Sequence, residues 1–348
     1  MATSAADSPG SPFKLGTFEL QGRTFVGMVT SDGTVIDVAA ANTALEKAHP
    51  AWPKVKPPSG MRDLITRYEA DGLKERVHAI AAEGKAAAPS AVHQRAALRV
   101  RPPVPDPESM LNAAVNYAEH DAEMQRREAA PPPAPQSLPR SAPGLWERRA
   151  DDTRQNPYLF LKARSALIAD GETIRIPPGR EQVDWECEMA VVIGRRGDHV
   201  PVRSAPDYIF GYTLEHDVSD RGGRGDSRLG SDWLVGKSHD TFAPLGPYIV
   251  PKEFVPNPQK LRIQFTLSGT QMQDSNTDRM IHDVYELLHY ASNILTLQPG
   301  DVISTGSPAG VGSARNPPIF MKAGDVAACT IEGIGTLTNP VGAAEPAR

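Results

Sequence analysis

Alternating apolar and polar residues near the start of the chain predict a small antiparallel sheet. The alternating runs cover residues 14–20, 24–29 and 34–38. Gln21-Gly22 lies between the first two runs and has the composition of a tight hairpin turn. Apolar residues at helical spacing follow at 61–82. Residues 13–100 are therefore predicted to form a small α+β domain behind a disordered leader, residues 1–12.

The rest of the chain predicts a larger, strand-rich domain at 106–342. Glycine and proline recur after residue 158, which favours short strands joined by turns. One stretch, 278–297, instead carries an apolar stripe at helical spacing, with Ser275 and Thr277 as candidate helix caps. The predicted fold class is therefore α+β and mostly β.

A proline-rich segment interrupts this larger domain. A polar stretch at 119–127 is predicted to be helical. Residues 131–143 then carry six prolines, which are incompatible with a helix interior or a central strand. Loops of this length are usually functional or disordered. We hypothesise that residues 126–156 form a lid that closes over a substrate.

Composition and charge exclude several classes of protein. Of the 348 residues, 40% are hydrophobic, which is enough for a sizeable core. The net charge is −5 and the basic residues are scattered, so nucleic acid is not an expected partner. No stretch approaches the roughly 20 apolar residues of a membrane helix, and no secretory signal is recognisable. Cys187 and Cys329 have no metal or redox spacing, so we expect no disulfide framework and a cytoplasmic location.

The strongest chemical signal is the acidic run Asp-Trp-Glu-Cys-Glu at the start of a predicted strand. Because side chains two residues apart share one face of a strand, Glu186 and Glu188 point the same way, with Asp184 beside them. Taken alone, the run also fits a half-exposed strand with an acidic outer face. Asp217 ends another strand-like run and could supply a third oxygen ligand, which favours a site for Mg²⁺ or Mn²⁺.

Two further motifs contain groups suited to acid–base chemistry. His120 and Glu123 are neighbours on a predicted helical turn, and a carboxylate beside an imidazole makes it a better general base. An ordinary surface contact would look the same. Lys237 stands among small and polar residues and could stabilise an enolate or bind a substrate carboxylate, although a lone lysine is usually solvated.

A glycine-rich loop at 304–312 follows a predicted strand. Its backbone N–H and hydroxyl groups could bind an anion, or its glycines could serve a tight turn with positive φ. The loop lacks the Gly-Lys-Ser/Thr ending of a nucleotide-binding P-loop. The chain also lacks the Gly-x-Ser-x-Gly motif of serine hydrolases.

The order of these motifs resembles the fumarylacetoacetate hydrolase family. The matching motifs are Asn-Tyr-x-x-His-x-x-Glu at 116–123, Phe-Leu-Lys at 160–162, Asp-Trp-Glu-x-Glu at 184–188, Gly-Tyr-Thr-x-x-x-Asp-Val-Ser at 211–219, Lys-Ser-x-Asp-Thr-Phe at 237–242 and Pro-Gly-Asp-Val-Ile-x-Thr-Gly at 299–306. The resemblance covers about residues 110–340. It implies a mixed β-sheet roll with flanking helices, in a homodimer.

The resemblance also implies roles for individual residues. The implied metal ligands for Mg²⁺ (or Mn²⁺) are Glu186, Glu188 and Asp217; the implied catalytic residues are His120, Glu123 and Lys237; and the implied substrate-binding residues are Tyr117, Arg221, Thr305 and Gly306. Gln273 resembles a glutamine of the family to which we assign no role. Family members often show Arg-Asp-x-Gln after the third ligand, whereas this chain has Arg221-Gly222-Gly223, which changes that side of the pocket.

The activity that we expect from this resemblance is hydrolysis of a C–C bond in a small acylpyruvate or 1,3-diketo acid. His120 would activate water, and the leaving enolate would be stabilised by the metal and Lys237. Decarboxylation, isomerisation or hydration of a related 2-oxo acid remains an alternative, since each passes through the same enolate. An inactive family-like binding dimer is an alternative of another class. The expected partner is a small oxo acid, with neither nucleic acid nor membrane.

Overall fold

The structure is a computed structural model that describes residues 12–127, 141–149, 151–223 and 230–343. Residues 1–11 of the predicted leader lie outside these ranges, as do residues 128–140 of the predicted lid. The lid therefore stays a hypothesis.

The N-terminal region is a small meander covered by helices. Its strands are β1 (Lys14–Leu20), β2 (Arg23–Val29), β3 (Thr34–Asp37), β4 (Val92–Gln94) and β5 (Arg99–Arg101), and its helices are α1 (Val38–Ala48), α2 (Met61–Arg67) and α3 (Leu73–Ala87). The three predicted strand runs are confirmed. Helix α1 was not predicted; the Asp37 carboxylate begins it by accepting hydrogen bonds from the N–H groups of Ala39 and Ala40.

The single helix predicted at 61–82 is two helices in the structure. Asp71 and Gly72 have φ angles of 57° and 67°, in the left-handed region. A right-handed helix cannot continue through such residues, so α2 ends before them and α3 begins after them. The helical spacing of apolar residues continues across the break because each helix buries an apolar face. Leu64 of α2 and Val77 of α3 are both fully buried.

Within the described residues, the larger region contains the remaining strands and three α-helices. Its strands are β6 (Met110–Ala113), β7 (Leu159–Leu161), β8 (Leu167–Ile168), β9 (Ile174–Ile176), β10 (Val183–Asp184), β11 (Cys187–Ile193), β12 (Ile209–His216), β13 (Ser219–Asp220), β14 (Ala243–Pro251), β15 (Arg262–Leu267), β16 (Thr270–Asn276), β17 (Val302–Ser304), β18 (Val326–Ile331) and β19 (Gly335–Ala343). Its helices are α4 (Ala118–Arg127), α5 (Trp233–Lys237) and α6 (Val284–Ser292). The fold is α+β and mostly β, as predicted.

Helix α6 is shorter than the helix predicted at 278–297, and it begins at a different residue. Asp283 caps it in a reciprocal capping box with Glu286, so the predicted caps Ser275 and Thr277 are wrong. Residues Thr277–Arg279 form a separate 3₁₀ turn, capped by Asn276. Sequence spacing alone could not separate this turn from the helix.

Most of the described strands form a long mixed sheet that packs against a five-stranded sheet, while β10 and β13 pair separately. The long sheet runs in the order β4-β3-β2-β1-β14-β12-β11-β17-β6-β7, and the smaller one in the order β16-β15-β18-β19-β9. The main hydrophobic core lies between the two sheets and includes buried residues of α6. Strands β11 and β12 are buried along their whole length because both of their faces are covered.

The small N-terminal region shares the long sheet with the larger region. Strand β1 pairs antiparallel with β14, with Leu15 opposite Ile249. Its helices bury a core that also includes Val192 and Phe210 of the larger region. The division into two domains at 13–100 and 106–342 stays a prediction.

The two cysteines are joined, contrary to the sequence expectation. Cys187 on β11 and Cys329 on β18 form a disulfide with a Cα–Cα separation of 5.4 Å. They are 142 residues apart along the chain, so the sequence could not reveal that the two sheets bring them together. The disulfide therefore links the strand that carries the acidic run to the smaller sheet.

Candidate functional site

Three acidic side chains converge at one end of strands β11 and β12. Glu186 precedes β11, Glu188 lies on it, and Asp217 follows β12. The antiparallel pairing places Cys187 opposite His216, and the Asp217 N–H donates to the Glu186 carbonyl at 2.8 Å. Carboxylate oxygens of the three residues lie within 4.8 Å of one another, and all three residues are buried. The structure thus brings together the three ligands predicted from sequence.

The carboxylate cluster holds more negative charge than its hydrogen bonds can offset. Burial, followed by the charges of Asp217 and Glu186, raises the pKa of Glu188 well above its usual range. Glu188 Oε1 is buried and has no hydrogen-bond partner among the described residues. Glu215 stands directly opposite Glu188 in the β11–β12 pairing, and burial raises its pKa to about 7.

Two buried lysines and the nearly buried Arg221 surround the same carboxylates. Lys237 Nζ donates to Glu186 Oε2 at 2.7 Å and to Asp217 Oδ2 at 2.5 Å. Lys162 bonds to the other oxygen of Asp217, and Arg221 bonds to Glu186. Burial alone would raise the pKa of Glu186, but the charges of Lys237, Arg221 and the nearby His120 hold it well below its usual range.

A divalent metal ion fits the charge and the donor atoms of this cluster. Among the described residues, five buried carboxylates face three cations, so the cluster would carry an excess of two negative charges if all five were ionised, which a divalent cation would offset. The carboxylates are Asp184, Glu186, Glu188, Glu215 and Asp217, and the cations are Lys162, Arg221 and Lys237. Hard cations such as Mg²⁺ and Mn²⁺ prefer oxygen ligands, and the unpartnered oxygen of Glu188 is one.

The predicted His–Glu pair lies next to the carboxylate cluster. His120 is buried on α4, and its Nδ1 lies 3.2 Å from Glu123 Oε2. The Gly310 N–H donates to both oxygens of Glu123, at 3.1 and 3.2 Å. Because an ionised carboxylate only accepts hydrogen bonds, we assign the proton to Nδ1, which leaves Nε2 as the basic nitrogen. His120 and Glu123 are thus arranged as a general base and the group that orients it.

The glycine-rich loop binds anions, but these are the protein's own carboxylates. The Gly306 N–H donates to Glu188 Oε2 at 2.9 Å, while the N–H groups of Gly312 and Ser313 donate to Asp184 at 2.6 and 3.1 Å. Gly306 has a φ of 87°, and a Cβ there would lie 2.8 Å from the Asn116 Cβ, so only glycine fits. The loop therefore holds the site together from one side.

Three of the predicted substrate-binding residues already make hydrogen bonds to other groups of the protein. The Gly306 N–H bonds Glu188, the Thr305 hydroxyl donates to the Met189 carbonyl at 2.9 Å, and Arg221 bonds Asp184 and Glu186. The fourth, Tyr117, is buried, and its hydroxyl has no partner among the described residues. Burial, followed by the charge of Glu188, raises its pKa well above the usual range. Their contacts with substrate stay predictions.

Sequence reasoning missed Lys162 as part of the site. Its ammonium is fully buried, bonds Asp217 and lies 3.3 Å from the Val218 carbonyl. The available signal was the Phe-Leu-Lys motif, in which the lysine directly follows strand β7 with its buried Phe160. A lysine that is buried needs a carboxylate partner, since an isolated buried charge is costly.

Buried carboxylates, their cationic partners and a histidine held by a carboxylate make this centre the candidate active site. Residues 109–342 match the model of the fumarylacetoacetate (FAA) hydrolase C-terminal domain. The protein therefore belongs to the fumarylacetoacetate hydrolase family. In the described part of the chain, no helix has the length and apolar character needed to cross a membrane.

Relatives and solved structures of this family carry several activities in their names. The mitochondrial oxaloacetate tautomerase fahd2 of Xenopus laevis is 38% identical over 239 residues, which cover 69% of this chain and 67% of the relative. The maleylpyruvate hydrolase of Sphingobium sp. SYK-6, solved with manganese(II) and pyruvate, has 29% identity and a TM-score of 0.67, covering 95% of this chain and 100% of its own. The 5-carboxymethyl-2-hydroxymuconate delta-isomerase of Mycobacterium smegmatis has 27% identity and a TM-score of 0.64, covering 96% and 100%.

Proposed function

We propose that the protein is a divalent-metal-dependent enzyme that moves a proton on a small 2-oxo acid, interconverting its keto and enol forms. The observation that carries the proposal is the buried His120, paired with the half-buried Glu123 beside the carboxylate cluster. A proton transfer needs one base close to the bound substrate, and it does not require a positioned water. The similarity to oxaloacetate tautomerases over two thirds of both chains supports this choice.

The reaction follows from the positions of the protein's own side chains. His120 Nε2 removes a proton from the carbon next to the keto group, and Glu123 stabilises the imidazolium that forms. The proton then passes to the enolate oxygen or returns to carbon. A metal ion held by Glu186, Glu188 and Asp217 supplies Lewis-acid stabilisation of that oxygen when it is bound. Lys237 donates its three N–H groups to Glu186, Asp217 and Ser219, so the role that we assign to it is to offset the substrate's negative charge through space.

Hydrolysis of a C–C bond is the second candidate, and it ranked first from the sequence alone. The same base can take its proton from water, because His120 is held by a carboxylate that is itself fixed by Gly310. The similarity to a maleylpyruvate hydrolase supports this alternative. We also propose a homodimer, as the family resemblance implies, and a cytoplasmic location. The Cys187–Cys329 disulfide, however, removes the cysteine argument for that location.

One assay separates the candidates. The enol form of oxaloacetate is followed by ultraviolet absorbance, and pyruvate is measured in the same samples, with Mg²⁺ or Mn²⁺ and with a chelator. Protein-free metal is the control, since metal ions alone act on oxaloacetate. Faster loss of the enol without pyruvate supports tautomerisation. Pyruvate formed from oxaloacetate would instead indicate decarboxylation. In a parallel assay with acetylpyruvate as the substrate, pyruvate would indicate C–C bond hydrolysis. Metal binding without any turnover would instead support a binding dimer.

A further inference from the structure

Gln273 is a buried residue on β16 whose side chain connects three parts of the site. It is 1% exposed, although a glutamine is usually at the surface. Its Oε1 accepts from the Cys187 N–H at 3.2 Å, and its Nε2 donates to Ser307 Oγ at 2.8 Å and to the Pro308 carbonyl at 2.7 Å. The amide thus uses both of its N–H donors and its oxygen.

The first of these contacts reaches the strand that carries the metal ligands. Cys187 lies between Glu186 and Glu188, so its backbone position sets the positions of both carboxylates. The Cys187 N–H donates its hydrogen bond to Gln273 in the smaller sheet and not to a neighbouring strand of the long sheet. Gln273 therefore fixes the start of β11 from outside its own sheet.

The other two contacts reach the glycine-rich loop. Ser307 and Pro308 lie between Gly306, whose N–H bonds the metal ligand Glu188, and Gly310, whose N–H bonds Glu123. A shift of this loop would move a metal ligand and the partner of the general base together. One amide side chain thus sets the spacing between the carboxylate cluster and the His120–Glu123 pair.

We infer that Gln273 is a positioning residue that couples the geometry of the metal site to that of the general base. The inference deepens the proposed function, since it requires that Glu186, Glu188 and Asp217 bind a metal. Residues that orient metal ligands from behind typically change metal affinity or activity by about 10- to 100-fold when they are replaced. A residue with a purely structural role would lower the melting temperature and leave the folded protein's metal affinity unchanged.

Four variants test the inference. Gln273→Met has a side chain of similar length and removes all three hydrogen bonds. Gln273→Glu keeps an acceptor for the Cys187 N–H but places a carboxylate oxygen against the Pro308 carbonyl. Ser307→Ala removes one of the two loop bonds and is the milder variant should the others fail to fold. Gln271→Met is the matched control, because Gln271 lies on the same strand and is exposed.

The first measurement is Mn²⁺ affinity, from the electron paramagnetic resonance signal of free Mn²⁺ at a temperature where each variant is folded. Both Gln273 variants should bind Mn²⁺ roughly 10- to 100-fold more weakly than wild type. Ser307→Ala should weaken binding by a smaller factor, and the control should match wild type. At saturating Mn²⁺, kcat of the Gln273 variants should fall more than KM changes, because the base is displaced.

The outcomes separate the inference from the proposed function. Wild-type protein that binds no Mn²⁺ would refute the metal site itself. Wild-type binding with unchanged affinity in both Gln273 variants, or in Ser307→Ala if only that variant folds, would overturn the positioning role alone.

Discussion

Glu188→Gln should make the metal-free protein more stable while it abolishes metal binding. Glu188 is fully buried, faces Glu215 directly across the β11–β12 pair, and has one oxygen without a partner. The glutamine keeps an acceptor for the Gly306 N–H and presents N–H donors to the surrounding carboxylates. Burial raises the pKa of Glu188, so without metal the folded protein either takes up a proton there or holds an unsatisfied charge. The amide avoids that cost, so at neutral pH the free energy of unfolding in a chelator should rise by about 1–3 kcal/mol, with a melting temperature roughly 2–6 °C higher.

Thermal unfolding with and without Mg²⁺ measures both effects. Mg²⁺ at about a hundredfold excess over its Kd should stabilise wild type by about 2.7 kcal/mol, whereas Glu188→Gln should gain nothing. Glu215→Gln is the matched control, since it also relieves the like-charge pair but leaves the three ligands intact. It should be stabilised in the chelator and still respond to Mg²⁺. A Glu188→Gln protein that is less stable than wild type without metal would refute the reasoning.

Three further predictions concern the base, a half-buried ion pair and the disulfide. His120→Ala should lower turnover about 10²- to 10⁴-fold with unchanged Mn²⁺ affinity, and equal turnover would remove His120 as the base. Burial would raise the pKa of Glu286, but His282 Nδ1 at 3.6 Å and hydrogen bonds from Arg154 lower it from 4.5 to about 2. The stability difference between wild type and Glu286→Gln should therefore be full above pH 4.5 and shrink as the pH falls to about 2 in acid unfolding curves. Air-oxidised protein should show no free thiol when denatured, and a dithiol that reduces Cys187–Cys329 should lower unfolding free energy by up to about 5 kcal/mol; a count of two thiols would exclude the bond.

Much of the catalytic centre was predictable because its key pairs are local in the chain. Glu186 and Glu188 share a strand face through the two-residue repeat, and His120 and Glu123 share a helix face through the three-residue spacing. Hairpin turns and alternating runs likewise predicted β1, β2 and β3. Such features depend on backbone geometry over a few residues, which the sequence specifies directly.

Contacts between distant parts of the chain were decided only by tertiary packing. Lys162 meets Asp217 across 55 residues, Gly312 meets Asp184 across 128, and the two cysteines meet across 142. Whether a buried lysine, loop amide or thiol finds its partner depends on which strands become neighbours and how the two sheets pack. The break between α2 and α3 could not be predicted either. Apolar spacing indicates which residues are buried, but it does not indicate the left-handed backbone at Asp71. The sequence by itself therefore determined which groups are available for the chemistry, while the packing of the sheets determined what holds them in place.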